Sequence, residues 1–187
     1  MNLTSHFLGI TLKNKIFNEL FESLKEYLAK NNIKNIIELQ NLSSLHITLY
    51  YFGKKLDSQI LANIKMDLKN LNKNIFSINI NQVNFFQKNS KNYLCYLSPL
   101  ETARLNKINL ILKNKYLNNV EDNNYSYIPH VTIFKIKNFS IYKDYEKDIL
   151  SIINLHLEKI KTKDSFKEFN LYSVDSNHSP EEQKIIF

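Results

Sequence analysis

Two of the five histidines in this chain sit in near-copies of one another. Leu45-His46-Ile47-Thr48-Leu49 and Pro129-His130-Val131-Thr132-Ile133 each place a histidine, an apolar residue, a threonine and another apolar residue in a row. In a β-strand, successive side chains alternate faces, so His and Thr at i and i+2 share one face while Ile47, Leu49, Val131 and Ile133 point into a core. Two such faces brought together would line a cleft with two imidazoles and two hydroxyls. An imidazole exchanges a proton near neutral pH, and a hydroxyl can hold a non-bridging oxygen, so the set suits acid–base chemistry on an oxyanion such as a phosphodiester.

The elements that must position these residues read as one continuous structure. The chain has two glycines, three prolines and no linker-like stretch. Alternation predicts strands over 5–12, 45–52 (closed by Gly53), 76–81, 92–97 and 129–137, with later strands at 155–160, 166–174 and 184–187. Apolar residues at helical spacing predict helices over 14–29, from a cap at Asp57 to about 71, over 102–117 and, as a short piece, over 142–152. The order strand, helix, His-Thr strand, helix, strand is followed by a looser second version of itself, with the motifs 130 − 46 = 84 residues apart. The expected class is α+β: two mostly antiparallel sheets facing a central cleft, with helices on the outer faces.

Composition bounds the rest. At 187 residues and 43% hydrophobic, the chain buries a real core and is not disordered. No apolar run approaches the roughly 20 residues of a membrane span, and no secretory signal opens the sequence. The single cysteine, Cys95, lies in an apolar run and reads as a small buried hydrophobe in a reducing, cytoplasmic setting. The net charge of +7 favours anionic partners. Yet every basic residue but Arg104 is lysine, and the chain is rich in Asn and Ile, so AT-rich coding supplies part of that charge. Bidentate guanidinium clamps are essentially absent, which leaves phosphate to lysines, hydroxyls and backbone amides.

The paired motifs and their flanks resemble the two-histidine (2H) phosphoesterase superfamily, in particular its 2'-5' RNA ligase / RNA 2',3'-cyclic phosphodiesterase (LigT-like) branch. The likeness runs in order from Phe7-Leu8-Gly9-Ile10, through Leu45 to Gly53 and Ile128 to Ile133, to Phe169-Asn170-Leu171-Tyr172-Ser173. Lys135 stands where the family commonly carries arginine, Phe134 where a small residue is frequent, and Tyr50 where a more polar one is frequent. The resemblance implies one bilobal domain over 1–187, a motif in each lobe, and hydrolysis of RNA 2',3'-cyclic phosphate ends to 2'-phosphate without metal or cofactor.

On this reading His46 and His130 are the catalytic acid and base, in an order the sequence leaves open, and Thr48 and Thr132 bind the phosphate. Phe7, Tyr127 and Lys135 are candidate substrate-binding residues. His6, His156 and His178 lack a repeat and read as structural or loop residues; no His or Cys pair has metal-ligand spacing. The expected partner is an RNA or nucleotide carrying a cyclic phosphate, with no membrane and a monomeric chain. Three other functions stay open: a phosphodiesterase for 2'-5' oligonucleotides or cyclic nucleotides, 2'-5' RNA ligation by the reverse chemistry, and a non-catalytic RNA-binding module.

Overall fold

A computed structural model describes residues 5–12, 15–53, 56–73, 77–100, 102–116, 126–160, 164–165, 168–174 and 184–185. His178, Phe76, Phe166 and the end of the last expected strand (186–187) lie outside them. Chain order is β1 (Ser5–Thr11), α1 (Lys15–Lys30), β2 (Ile37–Leu39), a 3-10 turn (Leu42–Ser44), β3 (His46–Gly53), α2 (Ser58–Asn72), β4 (Ser77–Ile78), β5 (Ile80–Lys88), β6 (Lys91–Pro99), α3 (Ala103–Tyr116), β7 (Val131–Ile136), α4 (Phe139–Ile160), β8 (Asp164–Ser165), β9 (Glu168–Val174) and β10 (Lys184–Ile185).

The α+β class is as expected. The two sheets are the halves of one antiparallel sheet, in the order β10-β9-β1-β3-β7-β6-β5, with β2 added beside β7. They join where β3 meets β7, through the single pair Ile47↔Val131. A small separate sheet pairs β4 with β8.

Helix formation follows the apolar stripes. In α1 the buried residues are Phe17, Leu20, Phe21, Leu24 and Leu28, one face at helical spacing. Asp57 caps α2 as expected, its carboxylate accepting from the Ile60 amide at 2.7 Å. These helices bury their stripes on the sheet face that carries Ile10, Ile47, Leu49, Val131 and Ile133, all 0% exposed. Cys95 is part of the same core, and burial pushes its thiol far up from the ordinary range.

Two stretches differ from the sequence reading. Residues 155–160 are not a strand but the end of the 22-residue α4. Leu155 and Leu157 mimic alternation, but Ile149, Ile153, Leu157 and Ile160 form the buried helical stripe while Leu155 stands 61% exposed. The strand expected at 76–81 instead continues as β5 to Lys88 and turns into β6. Asn89 and Ser90 make that turn with φ of 51° and 64°, the left-handed pair that a two-residue hairpin requires.

Candidate active site

The register around Ile47↔Val131 fixes the site. Both residues point into the core, so their neighbours point to the opposite face. Antiparallel pairing then sets His46 beside Thr132 and Thr48 beside His130. The imidazoles occupy one diagonal of a square and the hydroxyls the other. All four side chains are half-buried. Among the described residues neither threonine hydroxyl has a protein hydrogen-bond partner, so both remain available to a ligand.

Each histidine strand carries the same irregularity just past its threonine. On β3, Tyr50 pairs with Leu8 and Thr48 with Gly9, which leaves Leu49 as an extra residue. On β7, Phe134 pairs with Cys95 and Thr132 with Tyr96, which leaves Ile133 as an extra residue. These are β-bulges, which re-aim the side chains that follow. Both bulged carbonyls are satisfied from outside the main ladder: Asn109 on α3 donates to the Leu49 oxygen at 2.6 Å, and the Gln40 amide donates to the Ile133 oxygen at 2.8 Å. Two consecutive side chains are buried at each bulge, Leu49 and Tyr50 in one strand and Ile133 and Phe134 in the other. The alternation is thereby reset, so Tyr51 and Lys135 return to the face that carries the histidines.

The imidazoles are oriented alike. His46 donates from Nδ1 to the Ser44 carbonyl at 2.6 Å, and His130 donates from Nδ1 to the Ile128 carbonyl at 2.7 Å. A carbonyl can only accept, so each neutral ring keeps its proton on Nδ1 and presents a bare Nε2. Each ring is also wedged by two aromatics. Phe7 lies 4.7 Å and Tyr172 5.1 Å from His46, themselves stacked 4.8 Å apart. Phe86 lies 4.9 Å and Tyr96 5.4 Å from His130, themselves stacked 4.2 Å apart. The Tyr172 hydroxyl is tied to Thr11 at 2.5 Å, and Asn170 donates to that threonine at 2.6 Å.

These surroundings disfavour a charged ring. Burial lowers His46 to about 4, opposed by its bond to Ser44 and reinforced by the nearby charge of His130. Burial also lowers His130 against the opposing bond to Ile128. Because a proton on His130 repels one on His46, the second proton is harder to add than the first, so between the two titrations the pair holds a single proton.

The remaining expected residues fall in different places. Phe7 is only 5% exposed, and its ring supports His46. Tyr127, half-buried, donates its hydroxyl to the Thr48 carbonyl at 3.1 Å, so the segment leading to His130 is tied to the strand of His46. Simple alternation turns Lys135 away from the cleft, whereas the bulge at Ile133 turns it towards the histidine face, with its Nζ 4.9 Å from the Tyr93 ring centre. His156 is buried on α4, donating to the Ile152 carbonyl at 2.9 Å and meeting Ser23 at 3.4 Å. His6 pairs in register with Gly53, at the far end of β3 from His46. Tyr51, Phe86, Tyr96 and Tyr172 escaped the sequence reading. Only Phe7↔Tyr172, a cross-strand pair, could have signalled the wedge at His46, and strand order is needed to see it.

A fold of this kind, with one His-x-Thr strand in each half, defines a class that comparison with known proteins identifies. The sequence profile of the 2'-5' RNA ligase superfamily matches residues 17–161, and the chain belongs to that family. No curated protein sequence matches it. Among solved structures, TT0787 of Thermus thermophilus superposes with a TM-score of 0.65 at 11% identity, covering 98% of this chain and 95% of that one. Escherichia coli LigT complexed with 3'-AMP gives 0.60 at 14% identity, covering 91% and 87%. A LigT complex with NADP+ gives 0.59 at 13% identity, covering 97% and 93%. These likenesses show the fold. The 2H phosphoesterase, LigT-like assignment is borne out, and with it a function of the phosphoesterase type. No described helix is long and apolar enough to cross a membrane.

Proposed function

We propose that this protein hydrolyses RNA 2',3'-cyclic phosphate ends to 2'-phosphate by two-histidine acid–base catalysis. The observation that carries this reading is the diagonal placement of two Nδ1-anchored imidazoles about the Ile47↔Val131 pair. In-line displacement at phosphorus needs a base on one side and an acid on the other, and the diagonal supplies both. One bare Nε2 takes a proton from water as its oxygen bonds to phosphorus. The bond from phosphorus to O3' breaks, and the other imidazolium gives its proton to O3'. The pair ends with its single proton exchanged between rings, and solvent resets it.

Each imidazole is asked for about 10²–10⁴ in rate. Thr48 and Thr132 donate to the non-bridging oxygens, where negative charge grows in the transition state. Each half contributes one imidazole and one hydroxyl, so a single bilobal chain completes the site as a monomer. LigT structures holding 3'-AMP, NADP+ and ATP support a nucleotide as the substrate class. The superfamily's name keeps 2'-5' linkages as the second reading.

One assay separates the two. The protein is incubated in EDTA with 2',3'-cyclic mononucleotides, an RNA ending in cyclic phosphate, and 2'-5' oligoadenylate, and the phosphate position in each product is identified. A 2'-phosphate from the cyclic substrates supports the first reading. Cleavage of the oligoadenylate alone replaces it with the second, and loss of activity on chelation refutes the metal-free mechanism.

A further inference from the structure

At the strand ends beyond Thr132 lies a basic groove that the chemistry at phosphorus does not use. A cavity of about 530 Å³ lies between the tip of the β5–β6 hairpin and the start of α4, lined by Lys88, Lys91, Asn92, Tyr93, Lys137 and Phe139 among others. Lys88 and Lys91 are directly opposite in register at the hairpin end. Like charges placed so are destabilising, and among the described residues neither lysine is paired with a carboxylate. Lysine on an edge strand can serve to block pairing with another chain. That accounts for Lys88 on β5, at the sheet edge, but not for Lys91 or Lys135 on strands inside it.

The lysines converge on aromatic rings. Lys88 and Lys135 lie 5.1 and 4.9 Å from the Tyr93 ring centre, and Lys91 and Lys143 lie 5.8 and 5.4 Å from that of Phe139. Lys137 is neutralised by Glu38, and Lys143 by Glu146 at 3.0 Å. Among the described residues the uncompensated cations lining the groove are therefore Lys88 and Lys91, and Lys135 stands beside it against the Tyr93 ring. Lys135 shares the face of His130 and Thr132, so it joins the groove to the phosphate position. From His130 to Ile136 the strand spans about 20 Å, the reach of a short stretch of single strand.

We propose that this groove holds the RNA strand leading to the reacting phosphate, with lysines on its phosphates and Tyr93 and Phe139 offered to its bases. Alternating cations and aromatic faces are the chemistry of single-strand binding, and with one arginine in the chain lysine is the cation available. The inference rests on the proposed reaction and assigns the place where the strand behind the reacting end is held.

The test compares wild type with a Lys88→Gln/Lys91→Gln double variant, on a 2',3'-cyclic mononucleotide and on an RNA oligonucleotide with the same end. Two phosphate contacts on a single strand give a salt slope of about −1.4, so the advantage of wild type over the variant on the oligonucleotide shrinks about sevenfold between about 50 and about 200 mM salt. Mononucleotide kcat/KM stays within about twofold. Equal losses on both substrates, or an unchanged oligonucleotide rate and salt slope, overturn the groove. If wild type hydrolyses neither substrate, the proposed reaction fails and the groove is judged by fluorescence anisotropy with a 3'-phosphorylated RNA. Weakened binding in the variant sustains it. Unchanged RNA binding, or loss only of binding to vesicles of anionic lipid, refutes it.

Discussion

Gly9→Ala tests whether the aromatic wedge positions His46. Gly9 sits on the histidine face of β1 between Phe7 and Thr11, opposite Thr48. An added Cβ would lie 3.0 Å from the Ile47 carbonyl oxygen, 3.2 Å from Tyr172 Cε2 and 3.5 Å from Phe7 Cε2. Gly9 does not have a positive φ, so alanine brings no backbone strain and the effect is steric. Relieving the closest contact needs a shift of about 0.4 Å, in a carbonyl between His46 and Thr48 or in the ring pair against His46. Overpacking of this kind costs about 1–3 kcal/mol, and at about 2–4 °C per kcal/mol the melting temperature falls by about 2–12 °C. Since about 1 Å of misplacement costs about a hundredfold in rate, a shift of about 0.4 Å predicts a loss of about sixfold in kcat/KM. Thermal melts, steady-state kinetics on the cyclic mononucleotide and NMR titration of both histidines check this. The His46 resonance moves and the His130 resonance holds. Unchanged melting and activity would show that the close approach at Gly9 does not hold His46 in place.

Further outcomes follow from the same geometry. His46→Gln and His130→Gln each lower kcat by about 10²–10⁴ with a native circular dichroism spectrum; full activity in either one refutes the paired mechanism. Thr48→Val and Thr132→Val each lower kcat by about 10²–10³ through loss of a donor to the charged transition state, and an effect confined to KM would place the hydroxyls in ground-state binding instead. Because both histidines are lowered, His46 to about 4, the free-enzyme kcat/KM profile is a bell lying below pH 6.5. Its acid limb near 4 marks the second proton blocking the base, and its alkaline limb marks loss of the acid's proton. The sign for stability is opposite to that of a salt-bridged histidine: the unfolded chain binds these protons first, so melting temperature falls as pH drops from 6.5 towards 4. A bell centred above pH 7 would contradict the desolvation of both rings. Tyr127→Phe removes one tie between the halves, lowering stability by about 1 kcal/mol and reducing kcat more than it raises KM; a pure KM effect would place the Tyr127 hydroxyl in substrate binding instead.

What the sequence disclosed and what it hid divide along physical lines. Period-2 alternation depends only on neighbours along one strand, so the His-Thr faces and their apolar backs were legible, as was the Asp57 cap, a contact within four residues. The wedges at the imidazoles were not, because Tyr172 and Tyr96 reach them from β9 and β6, and those pairings join residues far apart in the chain. The end of α4 was misread where Leu155 and Leu157 alternate by chance within a 3.6-residue stripe. The direction of Lys135 was hidden for a sharper reason: alternation presumes an unbroken ladder, and a bulge leaves no mark in composition.

On the proposed mechanism, the bulges also decide how a nearly symmetric histidine pair acquires a direction. Without them, each strand would turn its fifth residue past the histidine into the core. With them, His, Thr and that fifth residue all stand over the same face in both halves, held there by Asn109 on one side and the Gln40 amide on the other. The first two positions are identical between halves and, on that mechanism, treat the phosphorus alike. The third is Tyr51 in one half and Lys135 in the other, an aromatic against a cation. On the proposed mechanism, symmetry is therefore broken one step out, and the cationic side is the one whose lysine meets Tyr93 on the wall of the Lys88–Lys91 groove. A substrate with charge on only one side of its reacting phosphate, as at the end of an RNA strand, matches that asymmetry; a small nucleotide with no strand attached does not use it.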